Sequence, residues 1–166
     1  MLKVDDTTRT SDATRRPVAI TSRRRPDLPP PRGRSLSVLV VGDLADAAGG
    51  LAQALELLGF PSRPVPTGAA ARVAITSDPP DVVVLNFPSR VVDGWELARW
   101  VVAGHGPAAK RPLLVAVTEG GSDEGLAAEA GVDLVLVGPV EPAVVVGVLR
   151  RFARAVAPGR TVPSPP

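Results

Sequence analysis

The sequence predicts one α/β domain with a parallel sheet, and three observations support this class. Short runs rich in Val and Leu alternate along the chain with stretches of helical spacing. Gly, Pro or Asp bound most of these runs, as is typical where strands end and turns begin. Strand and helix segments also follow each other closely, which favours a series of right-handed βα units.

Five strands and five helices account for the chain from residue 37 to residue 155. The strands are predicted at 37–41, 62–66, 81–85, 113–117 and 133–137. The helices are predicted at 47–58, 67–77, 93–102, 122–130 and 141–155. This spacing leaves only short connections, as expected for consecutive βα units in a compact domain.

Local signals mark the first two units. Asp46 is of a type that caps helices and Gly59 is of the type that ends them, so the two residues bound the first helix. The second strand carries Pro64, which has no N–H group to donate and therefore belongs at a sheet edge. Thr67 begins the second helix.

The last three strands are apolar runs, of which Val82–Leu85 is the clearest. Strands without a polar face are typical of a parallel sheet that helices cover on both sides. The helices that follow begin at Asp93, Ser122 and Glu141, residue types that favour the first turn of a helix.

With the second strand at an edge, the pattern favours the flavodoxin-like (βα)5 order 2-1-3-4-5, a three-layer sandwich. In such sheets the functional crevice lies beyond the carboxyl ends of the strands. Those ends fall at four places in the sequence: Gly42-Asp43, Asn86, Thr118 and Gly138.

The predicted domain covers residues 35–157 and has tails on both sides. Residues 1–34 are predicted to be a disordered tail rich in Pro and Arg, with nine Lys/Arg against four Asp/Glu. Residues 158–166 are predicted to be a second, Pro-rich tail. The net charge of +2 therefore combines a basic tail with a mildly acidic domain.

Composition excludes several classes of function. The chain has no cysteine, so disulfide and thiolate chemistry are excluded. No apolar run is long enough to span a membrane, and no signal-peptide pattern is present, so we expect a cytoplasmic protein that does not contact membranes.

Five short motifs occur in order along residues 36–154. They are the strand entering Gly42-Asp43, the strand Pro80–Asn86, the turn Val92-Asp93-Gly94, the strand Val115–Thr118, and Gly138-Pro139 after the fifth strand. In order and spacing they resemble the landmarks of the response-regulator receiver family, as in CheY. The resemblance implies two-component, or phosphorelay, signal transduction.

A receiver transfers a phosphoryl group to its own Asp, and this chain departs from that site. Asn86 stands at the acceptor position, and a carboxamide has no anionic oxygen to attack phosphorus. Gly42 replaces one of two acidic residues that help to hold Mg²⁺, and Gly138 replaces the Lys. Asp43, at most a weak residual Mg²⁺ ligand, and Thr118 match the family. We therefore expect a degenerate phosphoacceptor pocket, no catalytic residue and no cofactor.

The conformational switch of the family also lacks its reporter residue. The resemblance places Val135 where receivers carry an aromatic residue that changes rotamer. Val is small and stiff at χ1, so we expect one resting conformation.

Simpler interpretations exist for several residues. Asp43 is equally well explained as a turn cap, and Thr118 as a residue that satisfies a main-chain group at a strand end. His105, the only histidine, is expected in a solvated loop. Trp95 and Trp100 are five positions apart, so we expect one in the core and one at a partly exposed contact.

The leading hypothesis is a pseudo-receiver that acts by protein–protein interaction and is not an enzyme. The expected partner is a histidine kinase, another receiver or a downstream effector, or a second copy bound through helix 4, strand 5 and helix 5. Apolar residues of helix 5, several of which also face the core, are expected to contribute to that face: Val144, Val145, Val148 and Leu149.

Two alternatives stay open at this point. In the first, a small neutral ligand fills the space left by the missing side chains at Gly42 and Gly138. In the second, the basic tail at 1–34 associates with nucleic acid through its arginines.

Overall fold

The computed structural model describes residues 19–21, 35–42, 47–86, 92–104, 111–120 and 123–156. The strands are β1 Ala19–Thr21, β2 Val38–Val41, β3 Ser62–Val65, β4 Val82–Asn86, β5 Leu113–Thr118 and β6 Leu134–Val137. The helices are α1 Ala47–Leu57, α2 Gly68–Ser77, α3 Val92–Gly104, α4 Glu124–Glu129 and α5 Pro142–Val156. Each predicted strand and helix is therefore present, with its ends displaced by a few residues at most.

The strands form one sheet in the order β1-β6-β5-β4-β2-β3. β2 to β6 are all parallel to their neighbours. These five strands correspond to the five predicted ones, so their order is the predicted 2-1-3-4-5 and the flavodoxin-like fold class is confirmed. Pro64 lies in the edge strand β3, where its missing N–H group costs no ladder bond.

β1 is a sixth strand that the sequence analysis did not predict. It pairs antiparallel with β6, with Ala19 opposite Leu136 and Thr21 opposite Leu134. The expectation that 1–34 contains no strand is therefore wrong at these three residues, because an extended segment can use the free edge of β6. The rest of both predicted tails, and His105, lie outside the described residues.

Alternation along the strands divides the core between the two faces of the sheet. In β2, Val38 and Val40 face one cluster of buried residues, whereas Leu39 and Val41 face the other. The first cluster includes residues of α1 and α5, and the second includes residues of α2, α3 and α4. The sheet is thus covered on both faces, which explains why its strands lack a polar side.

Two carboxylates, one buried and one partly buried, join the amino ends of neighbouring strands. Asp133, just before β6, accepts hydrogen bonds from the two terminal guanidinium nitrogens of Arg111, Nη1 and Nη2, and, at 2.9 Å, from the main-chain N–H of Leu114. Asp81, just before β4, accepts from the N–H and the hydroxyl of Ser37, ahead of β2. These bonds hold the strand register at the end of the sheet opposite the predicted crevice.

Two helix ends follow the predicted signals, whereas Asp46 and Ser122 lie outside the described residues. The Thr67 hydroxyl accepts a hydrogen bond from the N–H of Ala70 and caps α2. Gly59, after α1, has φ of 94°, a left-handed conformation in which glycine is favoured. Within the described ranges, no helix combines the length and apolar character needed to cross a bilayer.

Candidate functional site

The carboxyl ends of four adjacent strands lie together at one edge of the sheet. Gly42 directly follows β2, Asn86 ends β4, Thr118 ends β5 and Gly138 directly follows β6. Because β2, β4, β5 and β6 are consecutive and parallel in the sheet, these four residues lie at the same edge of it, where the sequence analysis expected the functional crevice. Asp43, the fifth predicted residue, lies outside the described residues.

Gly42 allows the ends of β2 and β4 to approach closely. A β-carbon built on Gly42 would overlap the main-chain carbonyl oxygen of Asn86 and would lie 3.3 Å from the β-carbon of Ala48. The N–H of Gly42 also donates to the carbonyl of Val65, at 3.0 Å, which prolongs the pairing of β2 with β3. Any side chain at position 42 would therefore force the backbone of β4 to move.

Gly138 has a similar place between β5 and β6. Its N–H donates to the carbonyl oxygen of Thr118 at 2.6 Å, and a β-carbon added to it would lie 3.2 Å from that oxygen. The peptide bond from Gly138 to Pro139 is cis.

Gly42 does not leave the empty space that the sequence analysis expected, and at Gly138 that space is narrow. At Gly42 the Asn86 carbonyl fills the place of a side chain, and at Gly138 the Thr118 carbonyl is in near contact. The space expected at Gly42 is therefore taken by main-chain atoms, whereas the small-ligand alternative itself stays a prediction.

The Thr118 hydroxyl is bonded to its own loop. It donates to the carbonyl oxygen of Gly120 at 3.1 Å, and the residue is only 3% exposed. This is the simpler role anticipated for Thr118, in which a strand-end hydroxyl satisfies a main-chain group.

Val135 lies within the second cluster, which also contains Ala127 and Ala130 from the α4 segment. It is 5% exposed and is held in the centre of β6. Val135 therefore faces the side of the sheet that α2, α3 and α4 cover.

Both tryptophans occupy the same side of the core. Trp95 and Trp100 are each partly buried and pack against the second cluster. The expected division into one core residue and one contact residue is therefore wrong, since α3 turns both rings partly towards the sheet. The guanidinium of Arg72, on α2, lies 5.5 Å from the centre of the Trp100 ring, within the range of a cation–π interaction.

Asp123 is a feature that sequence analysis missed. It directly precedes α4, is 6% exposed, and its Oδ2 has no hydrogen-bond partner among the described residues. Its side chain does not cap the helix. An acidic residue after two glycines and a serine is typical of a solvated turn, so the sequence carries no signal for this burial.

The described crevice residues do not fit a magnesium ion. Mg²⁺ is usually held by carboxylates, and the described strand ends offer one carboxamide, one hydroxyl and main-chain oxygens. Across the described ranges, no three His, Cys, Asp or Glu side chains are grouped closely enough to hold a metal ion.

Comparison with solved structures relates this fold to known proteins. A CheY-like response regulator receiver domain from Methylobacillus flagellatus is 27% identical over 72% of this chain and 99% of its own, with a TM-score of 0.61. A chemotaxis response regulator of Vibrio cholerae is 20% identical over 72% of this chain and 99% of its own, with a TM-score of 0.62.

A third similar structure is the receiver domain of a sensor histidine kinase from Pseudomonas aeruginosa, described with magnesium coordinated in its active-site cleft. It is 21% identical over 73% of this chain and 99% of its own, with a TM-score of 0.62. Neither a protein-family model nor a curated protein matches the sequence at a significant level. The strand order, the four strand ends and these likenesses together show that the chain is a receiver-like domain with the fold of the CheY-like response regulators.

Proposed function

We propose that this protein is a pseudo-receiver in two-component signal transduction, one that is not phosphorylated at the usual position and acts by binding other proteins. The observation that carries the proposal is the end of β4, where a carboxamide, Asn86, replaces the acceptor and its main-chain carbonyl packs against Gly42. The receiver-like fold supports the signalling context.

The chemistry of phosphoryl transfer explains why these residues oppose it. An acyl phosphate requires an ionised carboxylate as nucleophile, and the amide of Asn86 is neutral. A cation normally balances the charge of the phosphoryl oxygens, but Gly138 supplies none, and the Thr118 hydroxyl is already engaged with Gly120. We infer that the protein is not an enzyme and works without bound magnesium.

The surface proposed for partner binding consists of α4, β6 and α5. Two expected contributors from α5, Val145 and Leu149, are fully buried in the first cluster, and Val144 and Val148 pack against it. The outward face of α5 is instead basic, with three exposed arginines: Arg150, Arg151 and Arg154. We therefore propose a partner with an acidic surface, such as a histidine kinase, another receiver or an effector in the cytoplasm.

The proposed absence of phosphorylation at the end of β4 is tested with phosphoryl donors. The full-length protein is mixed with Mg²⁺ and acetyl phosphate, or with beryllofluoride, and tryptophan emission and intact mass are followed. We expect no saturable emission change and no added phosphoryl mass. A stable adduct that Asn86→Ala abolishes would overturn the proposal, because it would place acceptor chemistry at the β4 end.

The interaction part is tested by charge reversal on α5. Tagged full-length protein is compared with Arg150→Glu/Arg154→Glu in capture from lysate of the source cell, and Arg99→Glu, on the exposed surface of α3, serves as the control. We expect a specific partner to be retained by the parent and the control and lost by the α5 variant. Equal retention by all three proteins would exclude α5 as the binding surface.

Association with nucleic acid through the basic tail at 1–34 stays a prediction, because nearly all of that segment lies outside the described residues. Such binding would weaken steeply as salt is raised.

A further inference from the structure

The two edges of the parallel sheet differ in how they resist pairing with another chain. The edge strand β3 reads Ser-Arg-Pro-Val, and both Arg63 and Pro64 disfavour an added strand. A charged residue makes the edge polar, and proline removes an N–H group that an added strand would need. The sequence of β3 therefore disfavours pairing of this edge with another chain.

The opposite edge of the parallel sheet has no such device. β6 reads Leu-Val-Leu-Val, without a charged residue or a proline. Strands of this composition favour pairing, and an uncovered apolar edge is a site of association between chains. In the structure this edge is covered by β1, which pairs antiparallel along three of the four residues of β6.

β1 is short enough to separate from β6. Three residues gain only a few main-chain hydrogen bonds, and ordering three residues offsets much of that gain. Residues 22–37 connect β1 to β2. A connection of that length reaches at most about 55 Å, whereas four strand spacings separate β1 from β2 by about 20 Å. The chain therefore has the length for β1 to leave the edge and return.

We propose that β1 is a reversible cover of the β6 edge, and that a second copy of this chain competes for the same edge by pairing its own β6. Two identical strands pair antiparallel about a two-fold axis, which closes the assembly at a dimer. The same symmetry makes the two α5 helices antiparallel, so that the start of one lies towards the end of the other. Glu141, just before α5, is thereby directed towards the exposed arginines at the end of the partner copy's α5. The two copies are therefore complementary in charge beside the paired strands.

This inference rests on the proposed function, because the β6 edge lies within the α4–β6–α5 surface. It adds a control to that surface: a chain with β1 in place is monomeric, and a chain with β1 displaced exposes the edge for pairing.

The test weakens β1 in the full-length chain. Successive N–H groups of a strand point to opposite sides, so one of Ala19 and Ile20 donates towards β6. The variant Ala19→Pro/Ile20→Pro removes both donors, and Ala13→Pro/Thr14→Pro places two prolines in the same tail outside β1. Sedimentation velocity over a wide range of protein concentration measures the oligomeric state, and hydrogen exchange follows the amides of β6.

We expect the parent and the control to be monomers and the β1 variant to shift to a dimer as its concentration rises. The β6 amides of the variant should lose protection when dilute and regain it in the dimer. An added peptide of residues 17–23 should return the variant to monomer. Ile20→Gly, a milder change that keeps the N–H group, should dimerise only at higher concentration.

A β1 variant that stays monomeric at all concentrations would overturn the proposal. So would a parent dimer that the prolines dissociate, because β1 would then be exchanged between copies. The measurement needs no partner protein, so failure of the capture experiment counts against the proposed function, whereas failure here counts only against the role of β1.

Discussion

Replacing Gly42 with alanine tests the close approach of β2 and β4 directly. The added methyl group would overlap the Asn86 carbonyl oxygen and lie 3.3 Å from the β-carbon of Ala48. The obstructing atom belongs to the main chain of a central strand, so it cannot turn aside as a flexible side chain would. Overpacking of this kind costs about 1–3 kcal/mol, and the smaller entropy of the unfolded alanine chain offsets roughly 0.4–1 kcal/mol. We expect a net loss of about 1–2 kcal/mol.

Gly50 supplies the matched control. It lies exposed in α1, and a β-carbon added to it would meet no atom within 4 Å. Gly50→Ala should therefore stabilise the protein by about 0.5–1 kcal/mol, since alanine favours helix. Urea titration followed by circular dichroism should give a lower midpoint for Gly42→Ala and a higher one for Gly50→Ala, with unchanged slopes. If Gly42→Ala matched or exceeded the stability of the parent, the close approach of Gly42 to the Asn86 carbonyl would be disproved.

Three further substitutions probe other contacts by the same titration. Asp133→Asn should cost about 3 kcal/mol, because Arg111 loses the carboxylate that holds it in a mostly buried pair. Asp78→Asn, in an exposed pair with a separation of 3.6 Å, should cost under about 1 kcal/mol. Similar losses for both variants would contradict this ranking. Thr118→Val should cost about 1 kcal/mol through loss of the bond to Gly120, and no loss would show that bond to be dispensable. Arg72→Ala should change tryptophan emission and cost about 0.5–1 kcal/mol; unaltered emission would argue against the cation–π contact.

The order of the five parallel strands was predictable because it depends on local features. Pro64 restricts its strand to an edge, and the apolar run of β4 requires cover on both faces. β1 was not predictable in the same way. Ala19–Thr21 is three residues long, and its pairing depends on the free edge of β6, which is more than a hundred positions away in sequence. A short strand of this kind carries too few residues for a periodic pattern.

At the candidate site, the sequence indicated which residues meet but not how closely. Gly42, Asn86, Thr118 and Gly138 were expected at one edge because each ends a strand, and the structure places them there. The contact between the Gly42 backbone and the Asn86 carbonyl was missed because a glycine in place of an acidic residue indicates space. Whether the main chain closes that space depends on the spacing of β2 and β4, which sequence alone does not specify.

The placement of the aromatic rings has a practical consequence for spectroscopy. Both tryptophans pack on the α2–α4 side of the sheet, and the chain has no tyrosine. Intrinsic emission therefore monitors that layer, while α1 and α5 form an optically quiet layer on the opposite side. A ligand that docks on α5 without disturbing the sheet should leave the emission unchanged, so a fluorophore attached to α5 is the appropriate sensor for such an event.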